Sequence, residues 1–187
     1  MSEQGGKKVF RRLETENLIL KPLEMSDKEF IFKQFSDPDV TRYLVDDEPL
    51  TRIEEAEEMI VFYTVTEPHT RNRWVIIRKS DTVPIGTCGY HIWNKKDNTC
   101  EIGYDLSPAY WGKGYMTEAL RRAITMGFED MGLNRIQAFV DVRNTKSVNL
   151  ALRLGFKQEG IIRDKHFFRG EYFDHYCFSL LKREWPD

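Results

Sequence analysis

The stretch from Thr99 to Phe156 constrains this chain more than any other. Within it, TCEIGYDLSPAYWGKGYMTEALRRAITMGFED reads as strand, glycine-rich turn and helix without a break. Glu101 to Leu106 alternates as a short strand does, and Ser107-Pro108 ends it. Gly112-Lys113-Gly114 then opens a helix with Met116, Ala119, Leu120, Ala123, Ile124, Gly127 and Phe128 on one face. At a glycine-rich helix N-terminus bare backbone N–H groups converge on an anion, and the helix dipole adds positive potential. A phosphate-bearing ligand is therefore expected at this turn. A P-loop requires Gly-Lys-Ser/Thr, but here Gly114 follows Lys113; a dinucleotide fingerprint requires Gly or Ala where Thr117 stands. What remains is Gly-x-Gly after a proline-terminated strand, with Asn144-Thr145-Lys146-Ser147 and Ala151-Leu152-Arg153-Leu154-Gly155-Phe156 further on.

Around this centre the chain reads as mixed α and β elements. Leu18 to Leu23 has strand composition. Ser26 with Glu29 is expected to cap a helix burying Phe30, Ile31 and Phe35, ending near Asp37-Pro38, and Val40 to Leu44 to add a turn. Thr51 with Glu54 is expected to cap a second helix facing inward through Ile53, Ala56, Met59, Ile60 and Tyr63. Asn72–Arg78, Ile85–Trp93 and Arg135–Arg143 read as strands. Lys146–Leu154 reads as a short helix closed by Gly155. Phe156–Ile162 and Tyr172–Leu181 finish the sheet, with a turn over 167–171 between them. Periodicity alone thus gives an α+β fold with a single sheet. At 187 residues one domain spanning 1–187 is expected, with 1–8 a flexible tail.

Net charge is −2, so the global electrostatic footprint of a nucleic-acid binder is missing. There is no apolar run of membrane-spanning length and no signal-peptide core near the start, so no membrane partner is expected. The 3 cysteines, Cys88, Cys100 and Cys177, are widely spaced without C-x-x-C. They read as reduced thiols of a cytoplasmic protein, with no metal site.

Pro108 to Gly114, followed by Asn-x-x-Ser and a helix ending Leu-Gly-Phe, resembles the GNAT superfamily of acyl-CoA-dependent N-acetyltransferases. It looks most like the branch of the ribosomal-protein-alanine N-acetyltransferases. Thr15 to Leu23 resembles that branch's first strand, and Gly170-Glu171-Tyr172-Phe173-Asp174 its last turn and strand. Where the superfamily often has Gln or Arg, three residues before the first motif glycine, this chain has Ala109.

The resemblance implies a strongly twisted, mostly antiparallel mixed sheet flanked by helices. The strands ending at Leu106 and starting near Arg135 would splay apart to admit pantetheine. It implies acetyl-CoA as co-substrate, held by backbone amides of Trp111, Gly112, Lys113, Gly114, Tyr115 and Met116, with Leu106 bonding the pantetheine amides through its backbone. Lys113, Arg121, Arg122 and Lys146 are candidates for the phosphates, although a solvated helix face accounts for Arg121 and Arg122 equally well. Asn144 would cap the following helix and contact pantetheine. Ser147 would either cap or protonate the departing thiolate.

The amine must also be neutral to attack, which makes Glu101 and His166 candidate bases through water, with His91, Asp174 and His175 behind them. His166 is expected just before the 167–171 turn, and Tyr104 on the same strand face as Glu101. The acidic Asp46, Asp47 and Glu48 fall on a loop that flanks the acceptor in this superfamily, and Trp74, Trp93, Trp111 and Tyr63 are candidates to line a pocket. The implied acceptor is a protein N-terminal α-amine. A small-molecule amine such as an aminoglycoside or polyamine, or a non-catalytic acyl-CoA sensor, remains open, as does a homodimer.

Overall fold

The computed structural model describes residues 10–64 and 70–186, so the expected tail over 1–8 lies outside the described residues. The described chain opens with β1 (Leu13–Glu14) and β2 (Leu18–Pro22), then α1 (Lys28–Ser36), α2 (Pro38–Thr41) and α3 (Ile53–Thr64). β3 (Trp74–Arg78), β4 (Pro84–Asn94) and β5 (Thr99–Leu106) lead into α4 (Tyr115–Glu129). After it come β6 (Arg135–Asp141), α5 (Thr145–Arg153), β7 (Lys157–Phe168) and β8 (Glu171–Leu181). The eight strands form one sheet ordered β1-β2-β3-β4-β5-β6-β8-β7, antiparallel except for the central pair β5 and β6. The α+β expectation holds.

Strand alternation divides the core between two faces. Trp74 and Ile76 of β3 pack with Leu120, Ala123 and Ile124 of α4. Val75, between them, packs with Ile31 and Phe35 of α1 and Ala56 and Ile60 of α3. The α4 face expected from helical spacing is buried throughout. No described helix is long and apolar enough to cross a membrane.

The central pair positions the site. β5 and β6 pair only at Thr99↔Arg135, Cys100↔Ile136 and Glu101↔Gln137. Beyond that point β5 stays registered on β4 as far as Leu106↔Gly86, while β6 follows β8 as far as Asp141↔His175. Each strand keeps its antiparallel ladder with its outer neighbour, and sheet twist rotates the two ladders apart. The result is a fork that opens after Glu101.

Several local expectations differ from the structure. Ser26 does not cap α1: a 3-10 turn over Met25–Asp27 precedes the helix, and the Asp27 carboxylate accepts from the Glu24 N–H at 2.9 Å. Glu55 rather than Glu54 reaches back to the Thr51 N–H, at 2.7 Å, because Ile53 and not Arg52 begins the helix. The expected turn over 167–171 shrinks to Arg169-Gly170, both at positive φ (49° and 86°). Two residues in that conformation make a tight hairpin, so His166, Phe167 and Phe168 lie on β7.

Candidate active site

The fork is a cleft of about 740 Å³ lined by β5, the turn into α4, the start of α5 and the α2 segment. At its lower end Gly112 and Gly114 have φ of 73° and 84°, left-handed values that favour glycine, and a Cβ on either would meet nothing within 4 Å. The turn is therefore open to a ligand on the side a Cβ would occupy. Gly114 is the N-cap of α4, a helix of 15 residues, and Gly112, Gly114, Tyr115, Met116 and Thr117 all line the cleft. The first turn of such a helix has N–H groups without intrahelical partners, which fits a pyrophosphate.

Leu106 faces this opening through its backbone. The Ser107 N–H donates to Ile85 O in β4 at 2.8 Å, and direction alternates along an antiparallel strand, so the Leu106 groups point into the fork. The Trp111 indole takes the Leu106 carbonyl at 2.7 Å, leaving the Leu106 N–H for a ligand amide. Lys146 lies over the Trp111 ring, Nζ 3.8 Å from the centroid, at the rim. Lys113 lies outside the lining and folds back to the Ala109 carbonyl at 2.8 Å. Arg121 packs over Trp185, away from the turn.

On the other wall Asn144 caps α5, its Oδ1 accepting from the Ser147 N–H at 3.1 Å, and it also faces the cleft. Ser147 Oγ donates to the Tyr104 hydroxyl at 2.8 Å. Burial pushes the Tyr104 phenol up to about 12, against the smaller opposing effect of the Ser147 hydrogen bond. The phenol therefore stays protonated near neutrality. Tyr104 does not share the Glu101 face: it packs with the α4 core, because residues three apart on a strand point to opposite sides.

Glu101 stands where the fork begins, on the α1–α3 face. Burial raises its pKa, with Asp46 adding to the rise and Lys165 opposing it. Its cross-strand partner is His91. His166 lies beside the same Lys165 and Asp46, its Nε2 2.8 Å from Lys165 Nζ. An ammonium can only donate, so the imidazole lone pair is engaged. Burial first and Lys165 next depress the His166 pKa, which keeps the ring neutral. His175 packs against it with ring centroids 4.9 Å apart. Above them Arg169, at the β7–β8 turn, pairs with Glu48 at 2.5 Å, tying the hairpin to the acidic loop.

Of the expected pocket aromatics, Trp111 lines the cleft. Trp74 is buried, its indole N–H held by the Arg11 carbonyl at 2.9 Å. Trp93 borders a separate hollow with Phe62, Arg71 and His91. Sequence reasoning missed a buried polar network behind the site. Gln34 Nε2 donates to Asp105 Oδ1 at 2.8 Å, Arg73 Nη1 to Asp105 Oδ2 at 2.9 Å, and Ser107 Oγ to Gln34 Oε1 at 2.6 Å. A second acidic residue on β5, Asp105, next to the apolar Leu106 and four residues after Glu101, is the available signal. Among the described residues no group of His, Cys, Asp and Glu has the arrangement of a metal site.

The geometry has counterparts. The sequence profile of the Acetyltransferase (GNAT) domain matches residues 17–157. The chain is 40% identical to p20 of Bacillus licheniformis, described as an N-acetyltransferase, across 92% of this chain and 97% of that one. YdaF of Bacillus subtilis, named as a proposed ribosomal N-acetyltransferase, is 39% identical over 54% of this chain and 55% of its own. The solved spermidine N-acetyltransferase of Vibrio cholerae, in complex with CoA and spermine, superposes with a TM-score of 0.81 at 25% identity. That superposition covers 91% of this chain and 98% of the other. With the fork, the open glycine turn and these matches together, the chain belongs to the GNAT family of acetyl-CoA-dependent N-acetyltransferases.

Proposed function

We propose that the protein acetylates the α-amine of a protein N-terminus, by direct attack with both substrates bound. The observation that carries this reading is the placement of a half-buried carboxyl, Glu101, at the point where β5 and β6 part. Bound acetyl-CoA supplies a thioester whose carbonyl carbon receives the amine and whose sulfur leaves as thiolate. The amides from Trp111 to Met116 hold the pyrophosphate, and the Leu106 N–H and Asn144 orient the pantetheine. Glu101 takes the ammonium proton through water, because the lone pair of His166 is engaged by Lys165. The Ser147 hydroxyl donates to Tyr104 in the structure, and it turns that single proton from Tyr104 to the developing thiolate. An α-amine, with pKa about 7.7–8.0, needs less help than a lysine side chain at about 10.4, and a carboxyl of raised pKa suits the former.

The second reading is a polyamine acceptor, favoured by the acidic Asp46 near Glu101, with Asp47 beside it, and by the spermine-bound relative. The two separate when N-terminal peptides, Nα-blocked lysine peptides, spermidine and an aminoglycoside are offered with acetyl-CoA and the products located by mass spectrometry. Acetylation of the free peptide α-amine supports the first reading; acetylation of spermidine alone replaces it with the second. Acetyl-CoA binding with no product on any amine would favour a sensor.

Gly114→Val places a β-branched residue at φ 84°. A left-handed conformation costs an L-residue about 1–2 kcal/mol, so relaxation of the turn is expected to weaken acetyl-CoA binding by about 5–30-fold in calorimetry. Unchanged affinity would separate the turn from the cofactor. Ser147→Ala is expected to slow kcat by about tenfold, the scale of one lost hydrogen bond, with acetyl-CoA affinity kept. Unchanged turnover under chemistry-limited conditions would remove Ser147 from proton transfer.

A further inference from the structure

On the α1–α3 face, Arg73, Tyr63 and His91 stand in a fixed series leading to Glu101. The Arg73 side chain is 10% exposed and donates from Nη2 to the Tyr63 hydroxyl at 3.0 Å. The Tyr63 oxygen lies 3.5 Å from His91 Nδ1, and the two rings meet edge-on with centroids 5.5 Å apart. A guanidinium has no acceptor, so it occupies a lone pair of the Tyr63 oxygen and leaves that hydroxyl's own proton for His91 Nδ1. Burial first, then Arg73 and Arg71, bring the His91 pKa down to about 3, which keeps the ring neutral. A neutral ring that accepts at Nδ1 carries its proton on Nε2. That nitrogen lies over β5: a Cβ on Gly103 would come 3.0 Å from it. Gly103 and Glu101 share one strand face, and Glu101 is the cross-strand partner of His91.

We propose that His91 is a positioning residue, locked by Arg73 and Tyr63 as the Nε2–H tautomer. In that state its donor, through one water, aims the Glu101 carboxylate at the fork and favours its ionised form. This removes His91 from the candidate bases, since one ring nitrogen carries the proton and the other is engaged. A hydrogen bond to a carboxylate stabilises the charge that burial penalises, so the donor holds Glu101 within a working range. Tyr63 on α3, Arg71 and Arg73 before β3, and Lys165 on β7 also face the pair, with Asp46 on the loop after α2 and the Cys177 thiol on β8. The Cys100 thiol lies on the α4 face of β5 and reaches the His91 carbonyl. The inference rests on Glu101 as the base but is read without it.

Two measurements on the intact protein decide the matter. Two-bond proton–nitrogen correlation of the labelled protein is expected to show His91 as Nε2–H between pH 6 and 8, with Tyr63→Phe admitting the Nδ1–H form. Carbon-13 titration of the Glu101 carboxyl is then compared between His91→Gln and His91→Met, side chains of similar length of which only Gln donates. The Glu101 titration is expected to stay near wild type in His91→Gln and to move to higher pH in His91→Met, with about a tenfold gain in proton affinity. An Nδ1–H ring in the wild type, or the same titration in both variants, overturns the proposal. Neither readout uses an amine, so failure here is distinguishable from failure of the acetyl-transfer reading.

Discussion

Glu101→Gln is expected to lower kcat by about 10²–10⁴-fold near neutral pH, the usual contribution of a positioned general base. Glutamine keeps the size of the side chain and cannot take a proton, so acetyl-CoA affinity is expected to persist. The pH profile carries its own signature. Burial raises the Glu101 pKa, and the reaction needs the carboxylate, so wild-type kcat/KM is expected to fall as pH drops through a value above the ordinary 4.3 or so of glutamate. In the variant that limb is lost. Stability runs the other way. A carboxyl that binds its proton more tightly folded than unfolded contributes stability below its unfolded pKa and loses that contribution as pH rises through the folded pKa. At neutral pH ionised Glu101 is therefore a burden on the fold, and the glutamine variant is expected to melt no lower than wild type. Loss of turnover with the melting temperature kept marks chemistry rather than damage; retained kcat would return the base to another group.

The largest stability effect is expected at Arg73→Met. Asp105 is 4% exposed at its side chain, and Arg73 supplies the cation that offsets its burial. Removing one partner of a buried pair leaves an uncompensated charge, at a cost of about 3–5 kcal/mol. In a chain of this size each kcal/mol moves the melting temperature by about 2–4 °C, so calorimetry should register a fall of roughly 6–20 °C. Adding Asp105→Leu removes the orphaned charge and is expected to recover part of the loss. A double variant less stable than Arg73→Met alone would mean that the hydrogen bonds of Asp105 to Gln34 and Thr87 outweigh the cost of its unpaired charge.

Much of this molecule was legible in its residues for identifiable reasons. The α4 face and the glycine turn are written locally, in 3.6-residue spacing and in a conformation that only glycine adopts cheaply. The polar alternation of β5 is legible as a strand, but Tyr104, expected on the Glu101 face, lies on the other one, since positions 101 and 104 differ by an odd number. The capping glutamate of α3 was missed by one residue because the helix starts at Ile53. β7 was read short because Arg169 takes up a left-handed turn beside Gly170, a conformation that composition alone does not signal for arginine. The extent of the fork depends on each central strand following its outer neighbour, a property of pairing between distant segments. The Arg73–Asp105 pair, 32 residues apart in the chain, is invisible for the same reason.

The central claim is that the fork between β5 and β6 receives acetyl-CoA with its pyrophosphate on the Gly112–Gly114 turn. Backbone amide shifts of the labelled protein, followed while acetyl-CoA is added, test it most directly. The largest changes are expected at Trp111 to Met116, at Leu106 and at Asn144 and Ser147, with downfield movement of the α4 N-terminal amides as they meet the phosphates. Changes confined to the hollow beside Phe62 and Trp93, with the turn unmoved, would contradict the account.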